Sequence, residues 1–217
     1  MLIGDVQGWA NNFVSFDDRF LERVAVVWPA CMAVLPRQPE EDDITINLVD
    51  RLGKDPVVRR LCHWIEYQFE PFGFAPDGSK YSKGIIDIAV LFDWERDRYL
   101  AYECKRLNVV NGGSRASLAT AYVTQGMMRF LTEQYAEHLP IGCMLGYVLD
   151  GDVPFALARI AGAIGQHAPL AVIDGPTPLD AIAAIKRFRT RHNRRGGSEI
   201  ELRHALVSRP PATLADD

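Results

Sequence analysis

The chain has few cysteines and histidines, and neither residue type falls into a pattern that predicts a structural metal. Among its 217 residues the 4 cysteines lie far apart, at positions 31, 62, 104 and 143, and form no CxxC pair. The 5 histidines also lack metal-ligand spacing. These absences argue against a disulfide framework and against a zinc site, and they indicate reduced thiols in a cytoplasmic protein.

Signals for a membrane, a nucleotide or a broadly basic surface are also missing. Met1–Asp5 has neither the basic flank nor the apolar core of a signal peptide. The longest apolar stretch, Val24–Leu35, is interrupted by Pro29 and is too short to cross a bilayer. No GxxxxGK[ST] phosphate loop is present, which argues against an ATPase. The formal net charge is −4, so any basic surface for nucleic acid has to be local.

The composition that remains is that of an ordinary globular protein. Apolar residues make up 48% of the chain and charged residues 24%, and this length is sufficient for one sizeable core. We therefore expect a single domain over residues 1–217. Within it we expect an N-terminal helical extension over residues 1–54, a core over residues 55–207 and a flexible tail over residues 208–217.

Apolar periodicity and turn residues predict an alternation of helices and strands. The predicted helices are Asp17–Val34 with a break near Pro29, Leu48–Leu52 after the acidic run Glu40–Asp43, a helix that begins at Asp55-Pro56 and continues to Phe69, Arg115–Glu137, Ala156–His167, and Leu179–Lys186. The predicted strands are Ile85–Phe92, Tyr99–Lys105, Gly142–Leu149 and Ile200–Val207. Polar turns are expected at Gly78–Lys83 and Asp93–Arg98, and a flexible break at Asn111–Ser114. This order predicts an α/β (α+β) domain with a central mixed sheet between helices.

A single carboxylate, Asp87, lies inside the apolar strand that follows Gly84. Burying a carboxylate is costly unless it is paired, hydrogen-bonded or bound to a metal. The returning strand supplies Glu103 and Lys105, which share one face because residues two apart in a strand point the same way, ~6.6–7 Å apart. Asp87 and Glu103 lie nearly opposite only if the connecting turn has an odd length or contains a bulge.

Two carboxylates that converge from adjacent strands suit a hard cation such as Mg²⁺, which takes one or two carboxylates together with waters and substrate phosphate. A metal of this kind activates a water for attack on a phosphodiester, and Lys105 could orient that water or stabilise the developing charge. The alternative is a structural ion pair between Asp87 and Lys105 with no metal. That alternative leaves Glu103 buried without a role.

These residues resemble the PD-(D/E)XK, or restriction-endonuclease-like, nuclease superfamily. The matching segments are Gly84–Ile88 and Ala101–Lys105, and the resemblance covers roughly Asp55–Leu149. Ile86 stands where the superfamily's name has proline. The resemblance implies a restriction-endonuclease-like central mixed sheet flanked by helices, here with an extra N-terminal helical region.

The resemblance also implies roles for individual residues. It implies that Mg²⁺ or Mn²⁺ is held by Asp87, Glu103 and a helix glutamate, which matches Glu66, and that Lys105 positions the attacking water. A polar residue on the following helix, which matches Gln125, would support them. The alternative for Glu66 is an ordinary solvated glutamate on its helix.

Two groups of residues are candidates for contact with nucleic acid. Tyr122 and Arg129 lie with Gln125 along one face of the predicted helix, which could instead be a simple solvent-exposed face. The densest basic stretch is expected on a loop beside the last strand, where it could neutralise phosphates or be an ordinary solvated surface. Its basic residues are Lys186, Arg187, Arg189, Arg191, Arg194 and Arg195.

The sequence thus predicts a metal-dependent endonuclease that hydrolyses DNA phosphodiester bonds, with restriction or anti-phage defence as a role suggested by analogy. Two alternatives stay open: a catalytically silent nucleic-acid-binding or assembly subunit, and an RNA-directed nuclease. A homodimer is attractive because a double-strand break needs two cuts, and a partner protein subunit is also open.

Overall fold

The computed structural model describes residues 6–111 and 113–210, without the side chains of residues 6–11 and 111. The predictions for Met1–Asp5, for Gly112 in the expected flexible break and for the tail from Pro211 lie outside the described residues.

The described chain alternates helices with strands. The helices are α1 (Val6–Ala33), α2 (Glu41–Lys54), α3 (Val58–Leu61), α4 (Ala119–Ala121), α5 (Met128–Leu131) and α6 (Val153–Gln166); a π-helical stretch (Tyr122–Met127) joins α4 to α5, and a 3-10 turn (Ala168–Leu170) follows α6. The strands are β1 (Trp64–Phe69), β2 (Phe72–Phe74), β3 (Lys80–Ser82), β4 (Ile86–Leu91), β5 (Tyr99–Asn111), β6 (Ser114–Ser117), β7 (Ile141–Val148), β8 (Val172–Ile182), β9 (Ile185–Asn193) and β10 (Glu199–Ser208).

One large mixed sheet organises the molecule, in the order β1-β4-β5-β7-β10-β9-β8, with β6 beside the end of β5. The two central pairings, β5 with β7 and β7 with β10, are parallel, and the others are antiparallel. β2 and β3 form a separate two-stranded hairpin. The predicted α/β class, with a large mixed sheet flanked by helices, is confirmed. No helix in the described part of the chain combines the length and apolarity needed to cross a membrane.

Helices cover both faces of the sheet. On one face, Tyr102 of β5 donates a hydrogen bond to Asp17 of α1 at 2.7 Å, and Tyr147 of β7 lies 3.1 Å from the Thr45 hydroxyl of α2. On the other face the π-helical stretch packs so closely that a Cβ placed on Gly126 would lie 3.5 Å from Cγ of Glu103. Adjacent residues of β5 therefore face different helical layers, as the period of a strand requires.

The predicted N-terminal helix is confirmed and is longer, but the break expected near Pro29 is absent, since α1 continues through Pro29 to Ala33. Trp28 is buried and donates from Nε1 to the Ser208 carbonyl at 2.6 Å, which ties α1 to the last strand. Arg209 donates to four carbonyls at the end of α1 and just after it, those of Met32, Leu35, Pro36 and Arg37. These bonds anchor the chain one residue past β10, inside the range expected to be a flexible tail.

The helix predicted from Asp55 to Phe69 is wrong beyond its first turn. Asp55 does act as the start signal, since its Oδ1 accepts from the amides of Val57 at 2.8 Å and Val58 at 3.1 Å. The helix then ends at Leu61, and the chain becomes β1, which pairs antiparallel with β4. Trp64, Ile65, Tyr67 and Phe69 in this segment are aromatic or β-branched residues that favour strands, and the pairing with β4 decides the outcome.

The helix predicted at Leu179–Lys186 is also wrong, and so is the loop predicted for the basic stretch as far as Asn193, although Arg194 and Arg195 do lie in the turn between β9 and β10. Both segments belong to the antiparallel hairpin of β8 and β9, with a turn at Ala183, where φ is 50°. β9 pairs with β10 from Lys186↔Leu206 to Asn193↔Glu199. This ladder satisfies the backbone along the whole of β9, which outweighs the helix propensity of the alanine-rich turn.

Two further boundaries differ from the prediction. Lys80–Ser82, expected to be part of a turn, forms β3, and the helix expected over Arg115–Glu137 is confined to Ala119–Leu131 because Ser114–Ser117 pairs with β5. The four predicted strands are confirmed, as are the turn at Asp93–Arg98 and the helix near Ala156–His167.

Candidate active site

A gap in the sheet lies at the middle of β5. On one side of β5, pairing with β4 ends at Ile88↔Tyr102 and pairing with β6 begins at Asn108↔Ser117. In the described structure no strand pairs with that side of residues 103–107. Carboxylates take the place of the missing strand: Asp87 Oδ2 accepts from the Cys104 amide at 2.7 Å, and Glu41 Oε2 accepts from the Arg106 amide at 2.8 Å.

The predicted register of the hairpin is confirmed. Leu91 pairs with Tyr99 and Ile88 with Tyr102, so continuing the ladder by one step sets Asp87 opposite Glu103. The connection over residues 92–98 has the odd length that the sequence required. Asp87 leaves the ladder at this point, and its carboxylate turns to the β5 backbone.

Lys105 is the cation at the centre of the gap. Its Nζ lies 2.7 Å from Glu41 Oε1, 3.0 Å from Glu103 Oε1 and 3.9 Å from Asp87 Oδ2, and its side chain is 14% exposed. The ion pair between Asp87 and Lys105 considered from the sequence is therefore the longest of the three contacts. One ammonium group serves three carboxylates, which leaves these carboxylates with excess negative charge.

Glu103 is the most buried member of the group, with a side chain that is 0% exposed. Arg129 Nη1 lies 3.2 Å from its Oε1 and 3.3 Å from its Oε2, and also contacts the Tyr135 hydroxyl, which in turn donates to the Ile85 carbonyl. Glu103 Oε1 lies within ion-pair distance of Lys105 and Arg129 but accepts no well-formed hydrogen bond from the described residues. A buried oxygen of this kind has unused capacity to bind a cation.

The pKa values of these groups reflect burial and mutual repulsion. Burial, followed by the nearby Asp87 carboxylate, raises the pKa of Glu103 from 4.5 to about 7. Burial also raises the pKa of Asp87, although Lys105 opposes the shift. Burial alone would lower the pKa of Lys105, but Glu103, Asp87 and Glu41 outweigh it and raise this pKa above its usual value. Lys105 is therefore charged at neutral pH, while Glu103 is divided between its two protonation states.

Glu41 was missed by the sequence analysis, which assigned the helix glutamate to Glu66. Glu66 lies on β1 instead, and both of its carboxylate oxygens are 2.7 Å from Arg96 Nη2. Glu41 lies in the first turn of α2 and reaches β5 with both oxygens. The acidic run Glu40–Asp43, which forms the start of α2, was a signal that could have found it, since carboxylates favour helix N-termini.

The helix face expected to carry three polar residues is not continuous. Tyr122 is fully buried and its hydroxyl lies 2.9 Å from His204 Nδ1, so it does not lie on the surface predicted for it. Gln125 is exposed, and Arg129 is partly exposed and reaches Glu103. The wider π-helical turn changes which residues align, because its hydrogen bonds run from i to i+5. The roles predicted for Gln125 and Arg129 at the site stay predictions.

Most basic side chains of the stretch from Lys186 to Arg195 are already paired within β8–β10 and α1. Arg187 is buried against Asp17 and Asp18, while Arg189 and Arg191 form ion pairs with Asp174, Glu201 and Glu199. Arg194 donates to the Ala136 carbonyl at 2.8 Å. Lys186 and Arg195 are exposed. Nucleic-acid contact by this stretch stays a prediction, although three of its arginines already form ion pairs with carboxylates of the protein.

The donor set around Lys105 fits a hard divalent cation better than a soft one. Among the described residues no three His, Cys, Asp or Glu side chains form a ready-made metal cage. Mg²⁺ does not require one, since it commonly takes one or two carboxylates and completes its shell with water and phosphate. Asp87 and Glu103 supply hard oxygen donors, and the observation that favours such an ion is the buried Oε1 of Glu103, which contacts Lys105 and Arg129 but accepts no well-formed hydrogen bond.

No protein-family model, curated protein sequence or solved structure matches this chain. A layered α/β sheet is compatible with many activities, so the architecture alone assigns none. The function has to be inferred from the chemistry of the side chains in the β5 gap.

Proposed function

We propose that this protein is a metal-dependent nuclease of the restriction-endonuclease-like fold that hydrolyses phosphodiester bonds in DNA. The observation that carries the proposal is the convergence of Asp87, Glu103 and Lys105 at the gap in β5, with Oε1 of Glu103 buried and lacking a hydrogen bond. An Asp–Lys ion pair made only for stability accounts for neither the second buried carboxylate nor Glu41.

Each side chain has a role that its position supports. Asp87 and Glu103 would hold Mg²⁺ or Mn²⁺, with Glu41 as the third carboxylate, and a bound cation polarises the phosphate and lowers the pKa of a water. Lys105, held by hydrogen-bond distances to Glu41 and Glu103, would orient that water. Arg129 keeps Glu103 in place through its contacts with both carboxylate oxygens.

The reaction is a hydrolysis that needs no further reactant. The oxygen of the water bonds to phosphorus, the bond from phosphorus to the leaving nucleotide's oxygen breaks, and a proton ends on that oxygen. Lys105 stays protonated throughout and stabilises charge on the phosphate, as a positioned cation does in phosphoryl transfer. In a homodimer two such centres could cut both strands of a duplex, and a place in restriction or anti-phage defence rests on analogy.

The proposal is tested by incubating supercoiled plasmid DNA, and RNA of matched length, with the protein and Mg²⁺ or EDTA. Asp87→Asn and Lys105→Ala remove the central groups, and Glu66→Gln is a matched control because Glu66 pairs with Arg96 away from Lys105. We expect nicking or linearisation by the wild type and by Glu66→Gln only, and only with the metal.

Equal cleavage by all variants would exclude the assigned site. Cleavage of RNA alone would indicate the RNA-directed nuclease. Binding of DNA by the wild type without any cleavage would favour the silent binding subunit.

A further inference from the structure

The hairpin of β2 and β3 exposes apolar rings beside the candidate active site. Phe72 is 58% exposed and Phe74 is 67% exposed. They lie on one face of the hairpin, since Phe72 pairs with Ser82 and Phe74 with Lys80. Both rings are therefore largely open to their surroundings, with the Lys80 ammonium over the Phe74 ring.

The hairpin is held in one conformation despite its small size. Its turn is closed by the bond from the Ala75 amide to the Ser79 carbonyl at 2.8 Å, and Asp77 Oδ1 accepts from the Ser79 amide at 2.9 Å. On the opposite face the Tyr81 ring lies over Gly73, so closely that a Cβ there would be 2.4 Å from the ring. A two-stranded hairpin is marginally stable alone, and these contacts compensate for the missing third strand.

The root of the hairpin is fastened to the layer that carries Arg129. The Lys83 amide donates to the Pro71 carbonyl at 3.0 Å, and the Lys83 ammonium pairs with Glu137. Gly84 adopts a φ of +133° and packs directly under the Gln134 side chain. The base of the hairpin is therefore anchored on the loop after α5.

The hairpin is close to the β5 gap along the chain and across the surface. The stretch from Ser82 to Asp87 can span at most about 18 Å even if fully extended, which equals about five nucleotides of one strand in a duplex. Ile85, which lies between the hairpin and Asp87 in the chain, is a further exposed apolar residue, with 48% of its surface accessible. The base of the hairpin therefore lies within about five nucleotides' length of a phosphate bound at Asp87.

We propose that Phe72 and Phe74 stack on unpaired bases next to the phosphate that is cut, so that the preferred substrate is DNA with single-stranded character rather than intact duplex. This inference rests on the proposed function and names its substrate class. Aromatic platforms bind single strands because every base has a π face, and they ignore sequence. In an intact duplex the base faces are already stacked on one another and are not accessible to the rings.

Charge and position favour a nucleic acid over an apolar protein partner. The ammonium of Lys80 lies 5.6 Å from the centre of the Phe74 ring. A positive charge beside the ring could neutralise a phosphate of the nucleic-acid backbone. Same-face residues two apart in a strand are ~6.6–7 Å apart, which gives successive splayed bases one ring each. The base of the hairpin also lies within about 18 Å of Asp87, where the proposed phosphate would bind.

The test measures binding in EDTA, so that affinity is read without turnover. Fluorescein-labelled oligonucleotides of one sequence are prepared as a single strand, as a blunt duplex and as a duplex with a central unpaired bubble, and fluorescence anisotropy gives Kd for each. We expect the wild type to prefer the single strand and the bubble. Phe72→Ala/Phe74→Ala should lose about 5- to 150-fold per ring on those two substrates and little on the duplex.

Two further double variants distinguish stacking from apolar contact. Phe72→Leu/Phe74→Leu keeps apolar area without a ring and should bind unpaired DNA as weakly as the alanine variant, whereas Phe72→Trp/Phe74→Trp should restore binding. Trp94→Ala is the matched control, because Trp94 is 76% exposed but lies on the connection at the other end of β4. It should leave all three Kd values unchanged.

The outcomes separate this inference from the proposed function. Equal wild-type affinity for the three DNAs, or full binding by the leucine variant, would overturn the stacking role and point to an apolar partner. If the stacking role is overturned in this way but the wild type cleaves DNA in Mg²⁺ and Asp87→Asn does not, the nuclease proposal still stands. Ring-dependent binding of unpaired DNA with no cleavage would refute turnover and support the stacking surface.

Discussion

Glu41 Oε1 lies 2.7 Å from Lys105 Nζ, although the two residues are 64 positions apart in the chain. The contact brings the first turn of α2 into the gap of β5 and joins the N-terminal helical region to the residues that resemble a nuclease motif. The region before residue 55 is therefore part of the candidate site and not only an extension of the core.

Glu41 should matter for cleavage and Glu66 should not. Glu41→Gln removes one charge that holds Lys105, and loss of such a supporting contact typically lowers activity about 10- to 100-fold. Glu66→Gln should leave the rate near that of the wild type, since its partner is Arg96. Initial rates of plasmid nicking in Mg²⁺ check both, with thermal unfolding to show that each variant folds. A larger loss of cleavage rate in Glu66→Gln than in Glu41→Gln would support Glu66, and not Glu41, as the third carboxylate of the site.

The stability of the metal-free protein should fall as the pH rises from about 4.5 to about 7. Burial, then Asp87, raises the pKa of Glu103 from 4.5 to about 7. The folded state therefore binds this proton more tightly than the unfolded state does. Its stabilising contribution is complete below about pH 4.5 and is lost as the pH rises through 7. Burial shifts the pKa of Asp87 in the same direction.

Urea unfolding in EDTA between pH 4.5 and 8 measures this effect, and Glu103→Gln should flatten the dependence because it cannot titrate. A wild-type profile that matches the Glu103→Gln profile would show that Glu103 is not protonated in the folded state near neutral pH.

Mg²⁺ should stabilise Lys105→Ala more than it stabilises the wild type. Without the ammonium, Asp87, Glu103 and Glu41 repel one another and only Arg129, beside Glu103, offsets their charge, so the metal-free variant should unfold at a lower temperature. A ligand that binds only the folded state raises Tm with its concentration. Thermal scans with increasing Mg²⁺ should therefore show a steeper rise for the variant, and Asp87→Asn should show a smaller rise than either. A flat response in all three proteins would argue against a cation at these carboxylates.

A second buried charge cluster, away from β5, should dominate global stability. Asp17 is 1% exposed and accepts from Arg203 Nε at 2.6 Å and from the Tyr102 hydroxyl at 2.7 Å. Asp17→Ala leaves Arg203 buried without this partner, which should lower the free energy of unfolding by about 3–5 kcal/mol. Asp50→Ala is the control, because Asp50 forms an exposed ion pair with Lys54 on α2 and should change stability little. Similar losses for both variants would contradict the assignment.

The sequence predicted the centre of the molecule better than its edges. The strands around Asp87 and Glu103 were predictable because long apolar runs with a single internal charge have few other solutions. The β8–β9 hairpin was not, since its alanine-rich turn suits a helix locally and only pairing with β10 decides otherwise. The strand β1 was predicted as helix for a related reason. The helix start signal at Asp55 is genuine, but the helix that it begins has only one turn.

The residues of the candidate site also divide into those that the local sequence predicts and those that depend on long-range packing. Asp87, Glu103 and Lys105 follow from strand periodicity, which needs only local sequence. The acidic run marks Glu41 as a residue at a helix N-terminus, but its contact with Lys105 depends on how α2 packs against β5, which the local sequence does not encode. Tyr122 was misplaced because a π-helical turn interrupts the helix, and this feature leaves little trace in apolar periodicity.

Because carboxylates take the place of a strand beside β5, two backbone amides of β5 should respond to the charge of the candidate site. The amide protons of Cys104 and Arg106 point at Asp87 and Glu41, whereas Glu103 and Lys105 pair with β7 on the other edge. The nuclear magnetic resonance frequencies of the first two protons therefore depend on the charge state of the carboxylates that they touch. Titration with acid or with Mg²⁺ should move these two resonances together and leave those of Glu103 and Lys105 less affected, so that alternate residues of one strand report separately on the site and on the sheet.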